Sequence, residues 1–472
     1  MTPSEFRRLG HTLVDWIADY RERVSAMPVM SRSEPRAIRD QMPGAAPEAG
    51  GALAGITEDL DRIVLPGITH WNHPRFFAYF PSNSSLSAVL ADLVTAGLGA
   101  QAMSWQTSPA ATEIEEVMMD WLRQLVALPP SFTGVIQDTA STATLVALLC
   151  ARERATSFAQ EREGLQTSHA PLVVYASEQA HASVEKAALL AGYGRAFVRL
   201  VDTDGDHAMR VDLLREAVRK DAEAGLRPCA VVATVGTTGT TAVDPVGAIA
   251  EVARQSGMWL HVDAALAGSA MILPECRVHW AGIEEADSLV FNPHKWLGTT
   301  FDLSAYYVRD PEHLVRVMST SPSYLRTSVD GQIKNFRDWG IPLGRRFRAL
   351  KLWFLLRQEG ASGLRDRLRR DLANAAWLKE QVDRAPGWQR MAPVPFQTVC
   401  VRHAPAGMED ADVDEHNREW AQRINQSGLA YLTPSVLKGK QIVRVSIGAL
   451  GTERADLEAL WEQMKREAAR AP

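Results

Sequence analysis

Between residues 134 and 308 the chain alternates short apolar runs with stretches of helical length. The runs cover residues 134–136, 172–175, 230–235, 259–262, 288–291 and 303–308. They have the length and composition of buried strands. Helices are expected between them, over residues 143–160, 183–191 and 246–256. Such alternation restricts the chain to a mainly parallel sheet covered by helices. Ligands of such sheets gather beyond the carboxyl ends of the strands.

The residues at those ends carry the chemistry. The first run is followed by Asp138, Thr139, Ala140, Ser141 and Thr142, and the second by a segment ending in His181. The third run ends in a glycine-threonine turn containing Thr238, the fourth in Asp263, Ala264 and Ala265, and the fifth in Asn292, Pro293, His294 and Lys295. Each has an ordinary explanation. Lysines are mostly solvated surface charges, hydroxyl-rich turns mostly cap helices, and a lone histidine is mostly structural. Random placement would scatter such residues over both edges of a sheet, whereas these share one. A hydroxyl-rich turn feeding a helix N-terminus is an anion site. A lysine in a dry pocket becomes a usable amine nucleophile and forms Schiff bases with carbonyls.

The set answers the needs of pyridoxal 5'-phosphate (PLP), which has an aldehyde, a phosphate, a flat ring and a basic ring nitrogen. Lys295 would take the aldehyde and Asp263 the ring nitrogen. His181 would stack on one ring face, and Ala265 is small enough for the other. Thr139, Ala140, Ser141 and Asn292 would serve the phosphate, and Thr238 a ring substituent.

Other signals exclude more than they assign. A chain of 472 residues with a net charge of −5 has no basic footprint for nucleic acid or an anionic membrane. The four cysteines, Cys150, Cys229, Cys276 and Cys400, match no zinc spacing and suit a reducing cytoplasm. No metal is expected. The polar first residues do not resemble a signal peptide, and no apolar run spans a membrane. Residues 3–24 read as an amphipathic helix whose stripe, Phe6, Leu9, Leu13, Ile17 and Tyr20, must be covered by the body of the protein or by a partner subunit. Residues 71–81, WNHPRFFAYFP, form either a core turn or the wall of an aromatic-ligand site.

With HWNHPRFFAYFP, GVIQDTASTATLVALL, SEQAHASVEKA, HVDAALAGSA, FNPHKW and IPLGRRFRALKLWF in view, the chain resembles, over nearly its full length, the group II PLP-dependent decarboxylases. Within them it is most similar to the aromatic-L-amino-acid (dopa, tyrosine, tryptophan) decarboxylases. The resemblance implies an α/β chain of the PLP-dependent transferase fold type I. That fold has a mostly parallel seven-stranded sheet in a large domain, a smaller α+β C-terminal domain and an N-terminal helical segment. The divisions expected are 1–82, 83–360 and 361–472. It implies a cytoplasmic homodimer with exchanged N-terminal helices and the active site at the subunit interface. Lys295, Asp263 and His181 become the catalytic residues, with His294 beside the cofactor. Trp71, Tyr79, Phe80, Pro81, Ser82, Met103 and Phe336 border the substrate. The reaction implied is decarboxylation of dopa, tyrosine, tryptophan or phenylalanine to the amine.

The sequence departs from that pattern twice. Phe336 is matched to a position where decarboxylases of the family usually carry a proton-donating tyrosine, and phenylalanine has no proton to give. Relatives with phenylalanine there form an aldehyde with uptake of oxygen. His181 is instead the choice of the amine-forming enzymes, and Tyr324 or water offers another proton. Asp138 stands where animal relatives have glycine, so its charge must be turned away from a phosphate or neutralised. An acidic substrate is a further alternative, with Arg75 the sole charge in the aromatic stretch.

Overall fold

The computed structural model describes residues 1–51, 53, 55–164, 170–320 and 333–470. The chain divides into two compact units. One comprises Met1–Pro81, Trp377–Met391 and Cys400–Pro472, and the other Ser82–Ala376 and Ala392–Val399. The N-terminal segment and the C-terminal region, expected as separate pieces, thus share one unit.

The second unit is built on a seven-stranded sheet: β1 (Thr133–Gln137), β2 (Leu172–Ser177), β3 (Val198–Val201), β4 (Arg227–Thr234), β5 (Trp259–Asp263), β6 (Ser288–Phe291) and β7 (Ser304–Val308). The strand order is β1-β7-β6-β5-β4-β2-β3. β3, β2, β4, β5 and β6 run parallel in sequence across the sheet, while β7 is antiparallel to both β6 and β1. β1 therefore points the same way as the other five, and the loaded ends of β1, β2, β4, β5 and β6 share one edge. β5, β6 and β7 are buried along their whole lengths, which is why they read as unbroken apolar runs.

The helix Ala140–Thr156 packs on this sheet through Ala143, Val146, Ala147, Leu148, Cys150 and Ala151, all buried. Small side chains let the helix axis approach the strands. Each fully buried Val or Leu contributes roughly 1.5–3 kcal/mol. Two glycines shape the functional edge. Gly236 follows β4 with φ +86°, a left-handed conformation that costs other residues. A Cβ on Gly268 would lie 2.4 Å from Cβ of Phe291, so only glycine lets the segment after Asp263 lie against β6.

In the first unit the helix Pro3–Arg23 opens with a Thr2–Glu5 capping box and buries none of its residues. Its stripe is partly covered in the single chain: Leu9, Leu13, Ile17 and Tyr20 are half-buried and Phe6 is exposed. Phe76 forms a bridge with Tyr431 and packs with Val29 and Ala78, joining the aromatic stretch to the C-terminal region. A four-stranded sheet, in the order Thr433–Leu437, Lys440–Ser446, Thr398–His403 and Trp388–Arg390, completes the small-sheet region.

Candidate active site

Lys295 lies in the wide turn Pro293–Leu297 directly after β6. Its backbone N–H donates to the Asn292 carbonyl and its carbonyl accepts from Asn83 Nδ2, both at 2.9 Å. Burial pushes the Lys295 ammonium below its ordinary pKa, and the charge of Asp263 opposes that shift. A lysine so placed spends more time as the free amine at neutral pH.

Asp263 ends β5, between Thr234 of β4 and Val290 of β6, and is 3% exposed. Its Oδ1 accepts from the Ala265 N–H at 3.0 Å, which shapes the turn holding Ala265 half-buried. His181 caps the helix Ala182–Leu190, accepting the Ser183 N–H on Nδ1. Burial lowers the His181 pKa, with Asp263 raising it and Lys295 lowering it further. The three residues therefore sense one another's charge. The structure brings together the amine, the carboxylate and the imidazole read from the sequence.

The hydroxyl turn is set as a helix start. Thr139 is the N-cap of Ala140–Thr156, and its Oγ1 accepts from the Thr142 N–H. Ala140 and Ser141 begin the helix, three residues earlier than expected, because the threonine cap rather than the polar run marks the start. Ser141 is exposed and Ala140 buried. The carboxylate of Asp138 accepts the Thr139 N–H at 2.5 Å, so its charge is engaged with its own backbone. Asn292 is buried, its Oδ1 accepting from Ser304 Oγ at 2.7 Å, and the same hydroxyl reaches the Asp138 carbonyl at 3.3 Å. Ser304 thus ties the phosphate candidates after β1 to those after β6. Thr238 is exposed, whereas the neighbouring Thr237 is turned inward to Thr240 and Ala242. His294 accepts the Leu303 N–H at 2.9 Å, and burial holds its pKa at about 4, so it is neutral beside Lys295.

These groups fit PLP. A buried lysine with a lowered pKa, a buried carboxylate, an accessible imidazole and a capped helix start answer an aldehyde, a ring nitrogen, a ring face and a phosphate.

The substrate candidates are divided. Trp71, Tyr79, Phe80 and Pro81 belong to the first unit, where Trp71 and Tyr79 stack with centroids 5.7 Å apart and are partly exposed. Ser82 and Met103 belong to the second unit and are half-buried. Phe336 requires a correction. It is 1% exposed, sits in the core cluster of the large sheet and meets Trp339 edge-on at 5.7 Å. The guanidinium of Arg345 lies 4.9 Å from its ring centre. A ring enclosed in this way borders no open substrate site. From its sequence the segment 320–340 is polar and loop-like, of the kind that closes a site, but residues 336–338 form a turn in which Phe336 and Arg337 are buried. Tyr324, the other donor considered, lies outside the described residues.

Sequence reasoning missed Asn83, Ser183, Ser304, Arg367 and Asp371. Arg367 donates to the carbonyls of Trp296 and Leu297 at 2.9 and 2.6 Å, and Asp371 accepts the Trp296 indole N–H at 2.8 Å. It also missed a buried string beneath Asp263. Trp259 Nε1 donates to Ser288 Oγ at 2.9 Å, and Ser288 Oγ lies 2.9 Å from His261 Nδ1. Ser183, two residues past His181, is the one with a local signal.

Comparison with known proteins agrees with this geometry. Residues 35–403 match the pyridoxal-dependent decarboxylase conserved domain. The chain is 40% identical to phenylacetaldehyde synthase of Arabidopsis thaliana, over 99% of this chain and 96% of that protein. It is also 40% identical to aromatic-L-amino-acid decarboxylase of Mus musculus, over 98% and 97%. A crystal structure of Oryza sativa TDC with PLP and tryptamine superposes with a TM-score of 0.96 at 38% identity, covering 99% of this chain and 98% of that one. The chain belongs to the pyridoxal-dependent decarboxylase family and is a PLP-dependent amino-acid decarboxylase.

Proposed function

We propose that the enzyme decarboxylates aromatic L-amino acids of the dopa, tyrosine, tryptophan and phenylalanine class to their amines. The observation that carries this reading is the meeting of Lys295, Asp263 and His181 on one sheet edge, in a chain similar throughout to aromatic-L-amino-acid decarboxylases. PLP supplies an electron sink when bound. Lys295 would hold it covalently, and Asp263 would keep a proton on its ring nitrogen. His181 and Ala265 would enclose the ring. Thr139, Ala140, Ser141 and Asn292 would hold the phosphate, with Thr238 and His294 at the ring's edge. Trp71, Tyr79, Phe80, Pro81, Ser82 and Met103 are the proposed substrate-side residues.

Loss of CO2 must be followed by delivery of one proton to Cα for an amine to result. The second reading is oxidative. One amino acid, one O2 and one water give one aldehyde, one CO2, one ammonia and one hydrogen peroxide. It draws support from the similarity to phenylacetaldehyde synthase. Its sequence argument was Phe336, and that side chain is enclosed in the core. We therefore favour the amine, with Tyr324 or water giving the proton. An acidic substrate is disfavoured because Arg75 already faces Asp456 at 3.7 Å.

The test uses pure protein, PLP and a panel of L-dopa, L-tyrosine, L-phenylalanine, L-tryptophan and L-glutamate, read by CO2 release, an oxygen electrode and a peroxide assay. Amine with CO2 and no oxygen uptake is expected from the aromatic members. Stoichiometric oxygen use establishes the second reading, and CO2 from glutamate alone removes the aromatic one. Tyr324→Phe should raise the share of aldehyde if its phenol is the donor.

A cytoplasmic homodimer is proposed with it. Among the described residues no helix is long and apolar enough to cross a membrane. The helix Leu86–Leu98 exposes Leu86, Leu90, Leu93, Val94 and Leu98 along one stripe, and the helix Pro3–Arg23 buries none of its own residues fully. Leu90→Glu with Leu93→Glu should yield a monomer in sedimentation equilibrium; an unchanged dimer would place the interface elsewhere.

A further inference from the structure

We propose that Asp371 is a positioning residue for Lys295, acting through the indole of Trp296. The inference rests on the reading of Lys295 as the PLP-binding amine.

Lys295 sits in a single wide helical turn rather than in a strand or a long helix. The turn Pro293–Leu297 closes through the Gly298 N–H to the Pro293 carbonyl at 2.9 Å, and Pro293 has no N–H to add. The N–H groups of His294 and Lys295 go to the backbone carbonyls of Leu303 and Asn292, and three carbonyls of the turn are taken by side chains from elsewhere. Asn83 takes the Lys295 carbonyl, and Arg367 takes those of Trp296 and Leu297. Asp371 stands one helical turn beyond Arg367 on the same face. Its Oδ2 accepts the Trp296 N–H at 2.8 Å. One helix face therefore grips the residue next to Lys295 at both its backbone and its side chain.

The arrangement is costly to the fold. Asp371 is 1% exposed and Trp296 fully buried. The second oxygen, Oδ1, faces the Arg370 guanidinium at 3.7 Å, beyond ordinary hydrogen-bond length. Burial pushes the Asp371 pKa up to about 6. A neutral apolar residue would fill this site at less cost. What the carboxylate provides is a fixed azimuth for a bulky ring inside a loose turn. An amine that must meet an aldehyde within a few tenths of an ångström depends on that backbone.

The experiment follows PLP attachment to apoprotein by visible absorbance and by borohydride trapping on Lys295, then kcat and KM of the holoenzyme. Asp371→Asn keeps the acceptor oxygen and is expected within two-fold of wild type. Asp371→Leu and Trp296→Phe each break the bond, by opposite partners, and are expected to slow attachment ten-fold or more. In both, kcat should fall and KM stay within two-fold, which a general loss of folding would not produce. The double variant should be no slower than the slower single, because both remove one interaction. Attachment by Asp371→Leu and Trp296→Phe at the wild-type rate, or multiplied losses in the double variant, overturns the proposal. Lys295→Ala separates the two levels: PLP trapped in this variant as in wild type, or none trapped in wild type, would remove the underlying reading instead.

Discussion

The backbone N–H of Ser183 donates to Nδ1 of His181 at 3.1 Å, and the Ser183 hydroxyl lies 2.7 Å from the same nitrogen. An N–H can only donate, so Nδ1 carries a lone pair and the neutral ring holds its proton on Nε2. Protonation of Nδ1 would break the backbone contact and force the Ser183 hydroxyl to give up donating. Burial already lowers its pKa, so the ring is neutral at neutral pH. The acid limb of kcat/KM should therefore fall below the ordinary histidine value of about 6.5. Ser183→Ala removes one contact that favours the neutral ring, and should move that limb to higher pH. A limb that stays in place in the pH profile would show that the hydroxyl does not set the protonation of His181.

Phe336→Tyr tests the reassignment of that residue. The new hydroxyl would enter a packed cluster with Trp339 and the Arg345 guanidinium rather than approach substrate. Burying a hydroxyl without a partner costs about 1–3 kcal/mol in proteins. The ratio of amine to aldehyde should be unchanged, and the denaturation midpoint should fall. A shift of product toward amine would return Phe336 to the active site.

Lys295, Asp263 and His181 were legible in the sequence because two signals coincide at each: the end of an apolar run, and a side chain with a reason to be there. Asn83 and Asp371 carried no such signal. Their partners lie 212 and 75 residues away, and nothing local marks an Asn or Asp as bound to a distant turn. The helix Pro109–Leu125 shows a different failure. The expected stripe runs through Val117, Met118, Trp121, Leu122 and Leu125; Met118 and Leu122 are buried as expected, but Val117 and Trp121 are exposed, and Met119 and Glu115 are buried in their place. A charged residue was assumed to face water, and Glu115 faces inward because Arg345 meets it there. Phe336 was misplaced for the mirror-image reason: polar neighbours suggested a surface loop, but Arg337 is itself only 9% exposed.

That inward pair makes its own prediction. Arg345 Nη2 donates to Glu115 Oε1 and to the Ile136 carbonyl, each at 2.7 Å, and the same Glu115 oxygen accepts the Ile136 N–H at 2.9 Å. Both side chains are almost wholly buried. Removing one partner strands the other's charge, which costs about 3–5 kcal/mol. Glu115→Ala should lose that much in denaturant unfolding. Glu115→Leu with Arg345→Met should lose far less, since neither charge is then buried. Equal losses in the two variants would mean that the β1 backbone contact, rather than the charges, carries the energy.

Two buried groups of the large unit titrate against each other. His261 is fully buried, and burial holds its pKa at about 4 against 6.5 when exposed. The unfolded chain binds the extra proton first, so this group's stabilising contribution is complete above pH 6.5 and drains away as pH falls toward 4. Asp371 is raised to about 6 from 3.8, so the folded chain binds the proton first. Its burial penalty is present above pH 6 and is relieved as pH falls toward 4. Each term is worth about 3 kcal/mol over its window, at about 1.4 kcal/mol per pH unit. They cancel below pH 6, leaving the His261 term exposed only between about pH 6 and 6.5. Asp371→Asn removes the compensating term alone. Its stability relative to wild type should therefore worsen by about 3 kcal/mol between pH 7 and pH 4, while His261→Gln should improve by a similar amount. Denaturant unfolding at the two pH values decides it, and parallel pH curves for all three proteins would refute both assignments.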